Sequence, residues 1–73
     1  MPIIDVKTEI TGNVWQIEAK VGDSVSEDDP IIILESMKME IPVAAPEDGK
    51  VAEILVEEGD TVTEGAVVAR LEV

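Results

Sequence analysis

Short alternations of apolar and polar residues, interrupted every few positions by glycine, aspartate or proline, run the whole length of the chain. Ile4 and Val6 alternate with Asp5 and Lys7 and predict a first short strand. Thr11-Gly12-Asn13 is a turn signal, and Val14 to Val21 reads as a second strand. Its alternation sets Trp15, Ile17, Ala19 and Val21 on one face and Gln16, Glu18 and Lys20 on the other. Gly22-Asp23 punctuates, Ser24-Val25 is a brief extended piece, and Ser26 to Pro30 is a polar loop, with Pro30 barred from a central strand position. Ile31 to Leu34 is apolar at every position, the pattern of a strand buried on both faces or crowded at a sandwich edge. The same order then recurs. Ala45 to Gly49 turns the chain, Val51 to Val56 is a strand, Gly59-Asp60 punctuates, Thr61-Val62 is brief, Glu64-Gly65 turns, and Ala66 to Leu71 is the last strand. No window of helical length carries apolar residues at helical spacing without an interruption, so essentially no helix is expected.

The recurrence is literal. Gly12, Val14, Ile17, Gly22, Asp23, Val25, Glu27, Leu34 and Glu35 return as Gly49, Val51, Ile54, Gly59, Asp60, Val62, Glu64, Leu71 and Glu72 at a constant offset of 37 residues. Ile4 and Val6 are echoed more weakly by Ile41 and Val43. Two similar half-sheets, neither able to bury its apolar face alone, are expected to pack face to face with approximate two-fold symmetry. The seam between the repeats falls at Glu35-Ser36-Met37-Lys38-Met39-Glu40-Ile41. Read locally, Ile31 to Val43 passes as one long strand, and Met-Lys is a poor pair for a two-residue hairpin turn. Only the repeat argues for a reversal there, which puts Lys38 at an exposed tip, at the opposite end of the molecule from the termini. A local contradiction of this kind tends to mark a functional site.

Size and composition narrow the chemistry. Residues 1–73 are expected to form one domain, burying only about 60% of the surface the unfolded chain exposes. The sequence has no cysteine and no histidine, which removes disulfides, thiolate metal sites and the commonest general base. No catalytic residue and no metal site is assigned, and Asp28-Asp29 reads as solvated loop. Seventeen acidic against five basic residues give a formal charge of −12, which disfavours nucleic acid and anionic membrane surfaces as partners and favours a basic groove on a larger protein. Its simplest role is a solvated surface. The start of the chain lacks the pattern of a signal peptide, and its longest aliphatic run is too short to span a bilayer, so a cytoplasmic location is expected.

With Met-Lys-Met centred in a duplicated all-β pattern, together with the Gly22-Asp23 and Gly59-Asp60 pairs and the Gly12/Gly49 pair, the sequence resembles the biotinyl/lipoyl carrier domain family from about Ile4 to Val73. It is most similar to the small stand-alone attachment proteins. The resemblance implies a barrel-sandwich hybrid, a flattened barrel or sandwich of two four-stranded antiparallel sheets. It also implies biotin joined through an amide to Lys38 by a biotin protein ligase, with Glu35, Ser36, Met37, Met39 and Glu40 as motif flanks. A biotin carboxylase would then load a carboxyl group on the ring and a carboxyltransferase would remove it, which makes this a non-catalytic carrier in a biotin-dependent carboxylase or decarboxylase. Met37 and Met39 match the biotin pattern, whereas lipoyl domains usually read Asp-Lys-Ala; Ser36 stands where alanine is usual and leaves as the alternative a lipoyl carrier domain of an oxidative decarboxylase-type complex, with lipoate on Lys38. An unmodified lipoyl-like interaction module is a further alternative, against which Lys38 at the seam argues. Ser26 to Pro30 matches Thr63 to Val67 without insertion, so the extended loop of some acetyl-CoA carboxylase carriers is absent and the chain resembles the thumbless type. Trp15 is expected to be core or half-buried packing, and the Gly-Asp pairs are expected to be turn formers.

Overall fold

The computed structural model describes residues 2–73, so Met1 lies outside it. Among these residues there are eight strands and no helix: β1 Ile3–Lys7, β2 Gly12–Ile17, β3 Ser24–Val25, β4 Pro30–Ser36, β5 Met39–Ala44, β6 Gly49–Ile54, β7 Thr61–Val62 and β8 Val67–Glu72. Moving β1 to β4 along by the sequence repeat lands on β5 to β8, strand for strand. One antiparallel sheet has the order β1-β8-β6-β3 and the other β5-β4-β2-β7. The sheets face each other as a sandwich, and neither closes onto the other as a barrel.

The repeats do not form one sheet each, as the sequence suggested. β3 of the first repeat pairs with β6 of the second, and β7 of the second pairs with β2 of the first. The Gly-Asp loops hold this exchange in place. Gly22 N–H donates to the carbonyl of Val51 and Val51 N–H to that of Asp23, both at 2.8 Å. On the other side Gly59 N–H donates to Val14 at 2.8 Å and Val14 N–H to Asp60 at 2.7 Å. Each glycine takes the positive φ expected of it, 98° at Gly22 and 95° at Gly59. Each aspartate closes its loop by accepting a backbone N–H three residues back, from Lys20 and from Glu57, at 2.9 Å. Interlocking makes the fold obligatorily joint, because each sheet takes its central pair of strands from one repeat and both outer strands from the other.

Bulges decide which side chains reach the core. The register between β4 and β5 shifts between Pro30 and Ile32, so Ile31 and Ile32 both turn inward and both are fully buried. That accounts for the adjacent apolar pair Ile31-Ile32 within the run Ile31 to Leu34, whereas Ile33 faces outward. The equivalent shift leaves Val68 and Ala69 buried side by side in β8. The deepest side chains are again symmetric partners: Leu34 with Leu71, Val14 with Val51, Ile31 with Val68. Each contributes on the order of 1.5–3 kcal/mol by leaving water.

A third bulge corrects the expected face of β2. The register between β2 and β4 skips between Val14 and Gln16, with Trp15 as the extra residue. Val14 therefore points inward while Trp15, 49% exposed, stands on the outer face; Trp15 and Ile17 do not share a side. β2 also ends at Ile17 rather than Val21, and Val21 is exposed. The chain still follows β4 a little further, since Glu18 and Ala19 both donate to the carbonyl of Ile31, and Ala19 is buried as expected. β6 likewise stops at Ile54, leaving Leu55 and Val56 beyond it.

Candidate functional site

The chain does reverse at the seam. β4 and β5 pair from Pro30↔Ala44 to Ser36↔Met39, leaving Met37 and Lys38 as a two-residue turn. Both adopt positive φ, 52° and 63°, as a type I′ turn requires. Neither is glycine or asparagine, so the turn holds two ordinary L residues in a left-handed conformation at a cost of about 1 kcal/mol or more each. Met37 buries almost nothing in return, being 91% exposed, and Met39 is 62% exposed. Lys38 is exposed as well, and among the described residues the ion pairs are those of Arg70 with Asp5 and Glu53, so no carboxylate claims the Lys38 amine.

The other expected site residues cluster at this tip. Ser36 and Met39 close the turn, and Glu35 and Glu40 face each other directly beneath it, both exposed. Like charges directly opposed on a hairpin are unfavourable by a few tenths of a kcal/mol, and they leave a negative collar under the one cationic side chain of the turn. The base of the hairpin is held by Gly12, which the sequence marked as part of a turn signal and as half of the recurring Gly12/Gly49 pair. A Cβ on Gly12 would lie 2.8 Å from the carbonyl oxygen of Glu35. Its repeat partner Gly49 has the same 2.8 Å approach to Glu72 O, so the recurrence of this pair was the available signal.

The turn has a pseudo-symmetric counterpart at the opposite end of the molecule. Applying the repeat offset to Ser36↔Met39 gives Val73 and Pro2, which are joined by Val73 N–H to the Pro2 carbonyl at 3.0 Å. The register shows that this pair and the tip lie far apart. β1 starts at Ile3 beside Glu72 and ends at Lys7 beside Val67, and the chain then passes to Gly12, packed against Glu35. It has thus walked the length of the sandwich from the terminal pair to the lysine. The shape, 36 Å long and 17 Å across, makes Lys38 the end of a rod. The loops joining β3 to β4 and β7 to β8 are equally short, residues 26–29 and 63–66, so nothing of the sandwich is extended alongside the tip from there.

Among the described residues no group of three or more Asp or Glu side chains converges as a metal site. No helix is long and apolar enough to cross a membrane. The arrangement presents a primary amine on a rigid mount, with the exposed carboxylates of Glu35 and Glu40 beneath it.

A family model described as biotin-requiring enzyme, for the biotin/lipoyl domain, matches residues 2–71. The chain is 44% identical over 66 residues to the biotin/lipoyl attachment protein of Bacillus subtilis, covering 90% of each. It is 40% identical over 65 residues to a biotinylated protein (the TB7.3 homologue) of Mycobacterium leprae, covering 89% of this chain and 92% of that one. Its fold superposes on part of the crystal structure of Kluyveromyces lactis urea carboxylase with a TM-score of 0.93 at 40% identity, over 99% of this chain but only 6% of that much longer one. The chain belongs to the biotin/lipoyl family, as a non-catalytic biotin carrier domain.

Proposed function

We propose that Lys38 is the residue to which biotin is attached, and that the domain carries the cofactor between a biotin carboxylase and a carboxyltransferase. One observation carries this reading: the amine of Lys38 stands on a strained two-residue turn at the end of the sandwich, free of any ion pair among the described residues. The residues fit the group. An amide needs a primary amine on a flexible stem, which lysine has and arginine, permanently charged, lacks. Nζ, once it has given up its ionising proton, attacks the carboxyl carbon of biotin that the ligase has activated. The bond from that carbon to its oxygen-linked leaving group breaks as the C–N bond forms, Nζ loses one more proton, and a neutral amide nitrogen remains. Once attached, biotin supplies a ring nitrogen able to take up and release a carboxyl group. The chain's own part is to hold the arm's root at the tip of a stiff rod, which gives the tethered ring a high effective concentration at successive active sites. Glu35, Ser36, Met37, Met39 and Glu40 form the surface that a biotin protein ligase meets around the amine. The likeness to a segment of urea carboxylase supports a place in a biotin-dependent carboxylase.

Intact-mass measurement after co-expression with a biotin ligase tests the assignment. A gain of one biotinyl group is expected, lost in Lys38→Ala and in Lys38→Arg while both variants keep the wild-type thermal midpoint. Acylation also removes one positive charge, moving the formal net from −12 to −13, so the modified form focuses at lower pH. A gain retained in Lys38→Arg rules out Lys38. A lipoyl group, taken up with a lipoate ligase in preference to biotin, replaces the cofactor assignment.

A further inference from the structure

The internal repeat supplies a control for reading the two outer sheet faces. On the β1-β8-β6 side the outward positions are Asp5, Arg70 and Glu53. They are tied together, with Arg70 Nε 3.1 Å from Asp5 and Nη1 3.4 Å from Glu53. The residues at the same positions on the β5-β4-β2 side are Pro42, Ile33 and Gln16, paired in the same register. Beside them Trp15 stands where the other repeat has Ala52, both at a bulge. One face is a solvated ion network; the other is apolar, with the chain's one tryptophan half exposed on it. Nothing in the folding of the sandwich demands the difference, since the two sheets bury equivalent inward residues.

Trp15, Ile33 and Pro42 line a shallow depression whose charged members are Glu18, Asp28 and Glu40, with no lysine or arginine among them. A partner for this surface must offer an apolar group bordered by basic side chains. The depression lies on the strands that carry the turn. Pro42 is four residues from Lys38 along β5, about 13 Å at the rise of an extended strand. Before modification the Lys38 amine reaches no further than its own side chain, so the enzyme that acylates it must touch the body of the domain near the tip. Enzymes acting later meet the ring at the end of a longer arm and can hold the body at a greater distance.

We infer that the Trp15–Ile33–Pro42 face is the surface on which the biotin-attaching ligase docks, through a basic-rimmed apolar patch of its own. The inference rests on Lys38 being the attachment residue. Steady-state transfer by the cognate ligase, read by intact mass at varied domain concentration, tests it. Trp15→Ala, which installs the residue found at the equivalent bulge, is expected to lower kcat/KM at least about tenfold, chiefly through KM. Glu18→Lys is expected to weaken transfer in the same direction and to flatten its salt dependence. Leu55→Ala, which trims an exposed apolar side chain beyond β6, is expected to leave transfer unchanged. Thermal midpoints report whether each variant is folded. Independently of any variant at the patch, the indole N–H resonance of Trp15 in the unmodifiable Lys38→Ala chain is expected to shift or broaden on titration with unlabelled ligase. If the wild type takes no biotin, or takes it in Lys38→Ala, the attachment residue is misassigned. If the wild type is modified at Lys38 while Trp15→Ala keeps its kcat/KM and the indole resonance does not move, the docking surface alone is refuted. A Trp15→Ala effect confined to later carboxylation refutes it equally.

Discussion

Replacing Gly12 by alanine places a methyl group 2.8 Å from the carbonyl oxygen of Glu35, at the foot of the lysine hairpin. A carbon seldom approaches such an oxygen closer than about 3.3 Å, so β4 must retreat by roughly 0.5 Å. The obstacle is backbone, with Glu35 paired on one side to Glu40 and on the other to Asn13, and it cannot swing aside as a side chain would. Overpacking of this kind costs about 1–3 kcal/mol. Alanine recovers about 0.5–1 kcal/mol of that by restricting the unfolded chain. Taking the middle of each range, the net loss is about 1 kcal/mol, against a total stability of roughly 4–11 kcal/mol for a chain of this size. At about 4–8 °C per kcal/mol the thermal midpoint should fall by several degrees. Urea unfolding of Gly12→Ala and Gly49→Ala side by side is the measurement, because Gly49 makes the same 2.8 Å approach to Glu72 O and should cost a similar amount. If both substitutions prove neutral or stabilising, the close approach is not what requires glycine at these positions. If only Gly12→Ala is costly, the two halves are not equivalent where the repeat says they are.

Relief of left-handed strain should act in the opposite sense. Met37→Gly, at φ 52° with its side chain almost wholly in water, should stabilise the fold by about 0.5–1 kcal/mol in urea unfolding while impairing modification at Lys38. Asp28→Gly should stabilise by a similar amount, because Asp28 holds φ 73° where the second repeat already uses Gly65 at φ 86°. Asp23→Ala and Asp60→Ala, each removing one side-chain acceptor from a Gly-Asp loop, should each cost about 0.5–1.5 kcal/mol and should add in the double variant to a measurable loss. Added sodium chloride should raise the thermal midpoint, because seventeen acids facing five bases repel one another and salt screens that repulsion; a fall would mean the Arg70 pairs dominate. The hydrogen bond to Asp5, and then the bond and charge of Glu53, raise the Arg70 pKa above the ordinary guanidinium value. A folded-state pKa raised in this way gives stability that is fully present below the unfolded value and is lost only as pH rises through the folded one. The effect of Arg70→Ala on the thermal midpoint should therefore be the same at pH 6 and at pH 9.

The sequence by itself determined the succession of strands along the chain, the near two-fold repeat and the reversal at Lys38. Those features are written in period-two alternation, in glycine at positive φ and in a nine-residue recurrence that no local propensity would have revealed. It also pointed to the chemistry, since a lone lysine between methionines at a repeat seam is a property of residue order. Tertiary structure alone decided how the halves interlock, because the choice of β6 as partner for β3 is a long-range pairing that no alternation pattern encodes. It alone decided that the Met37-Lys38 turn is type I′, forced by the strands it joins against the preference of its own residues. It decided as well where Trp15 faces. A bulge inserts one residue into the pairing and reverses the phase of every side chain before or after it, and whether a strand bulges depends on the partner strand, which a reading along one chain cannot supply.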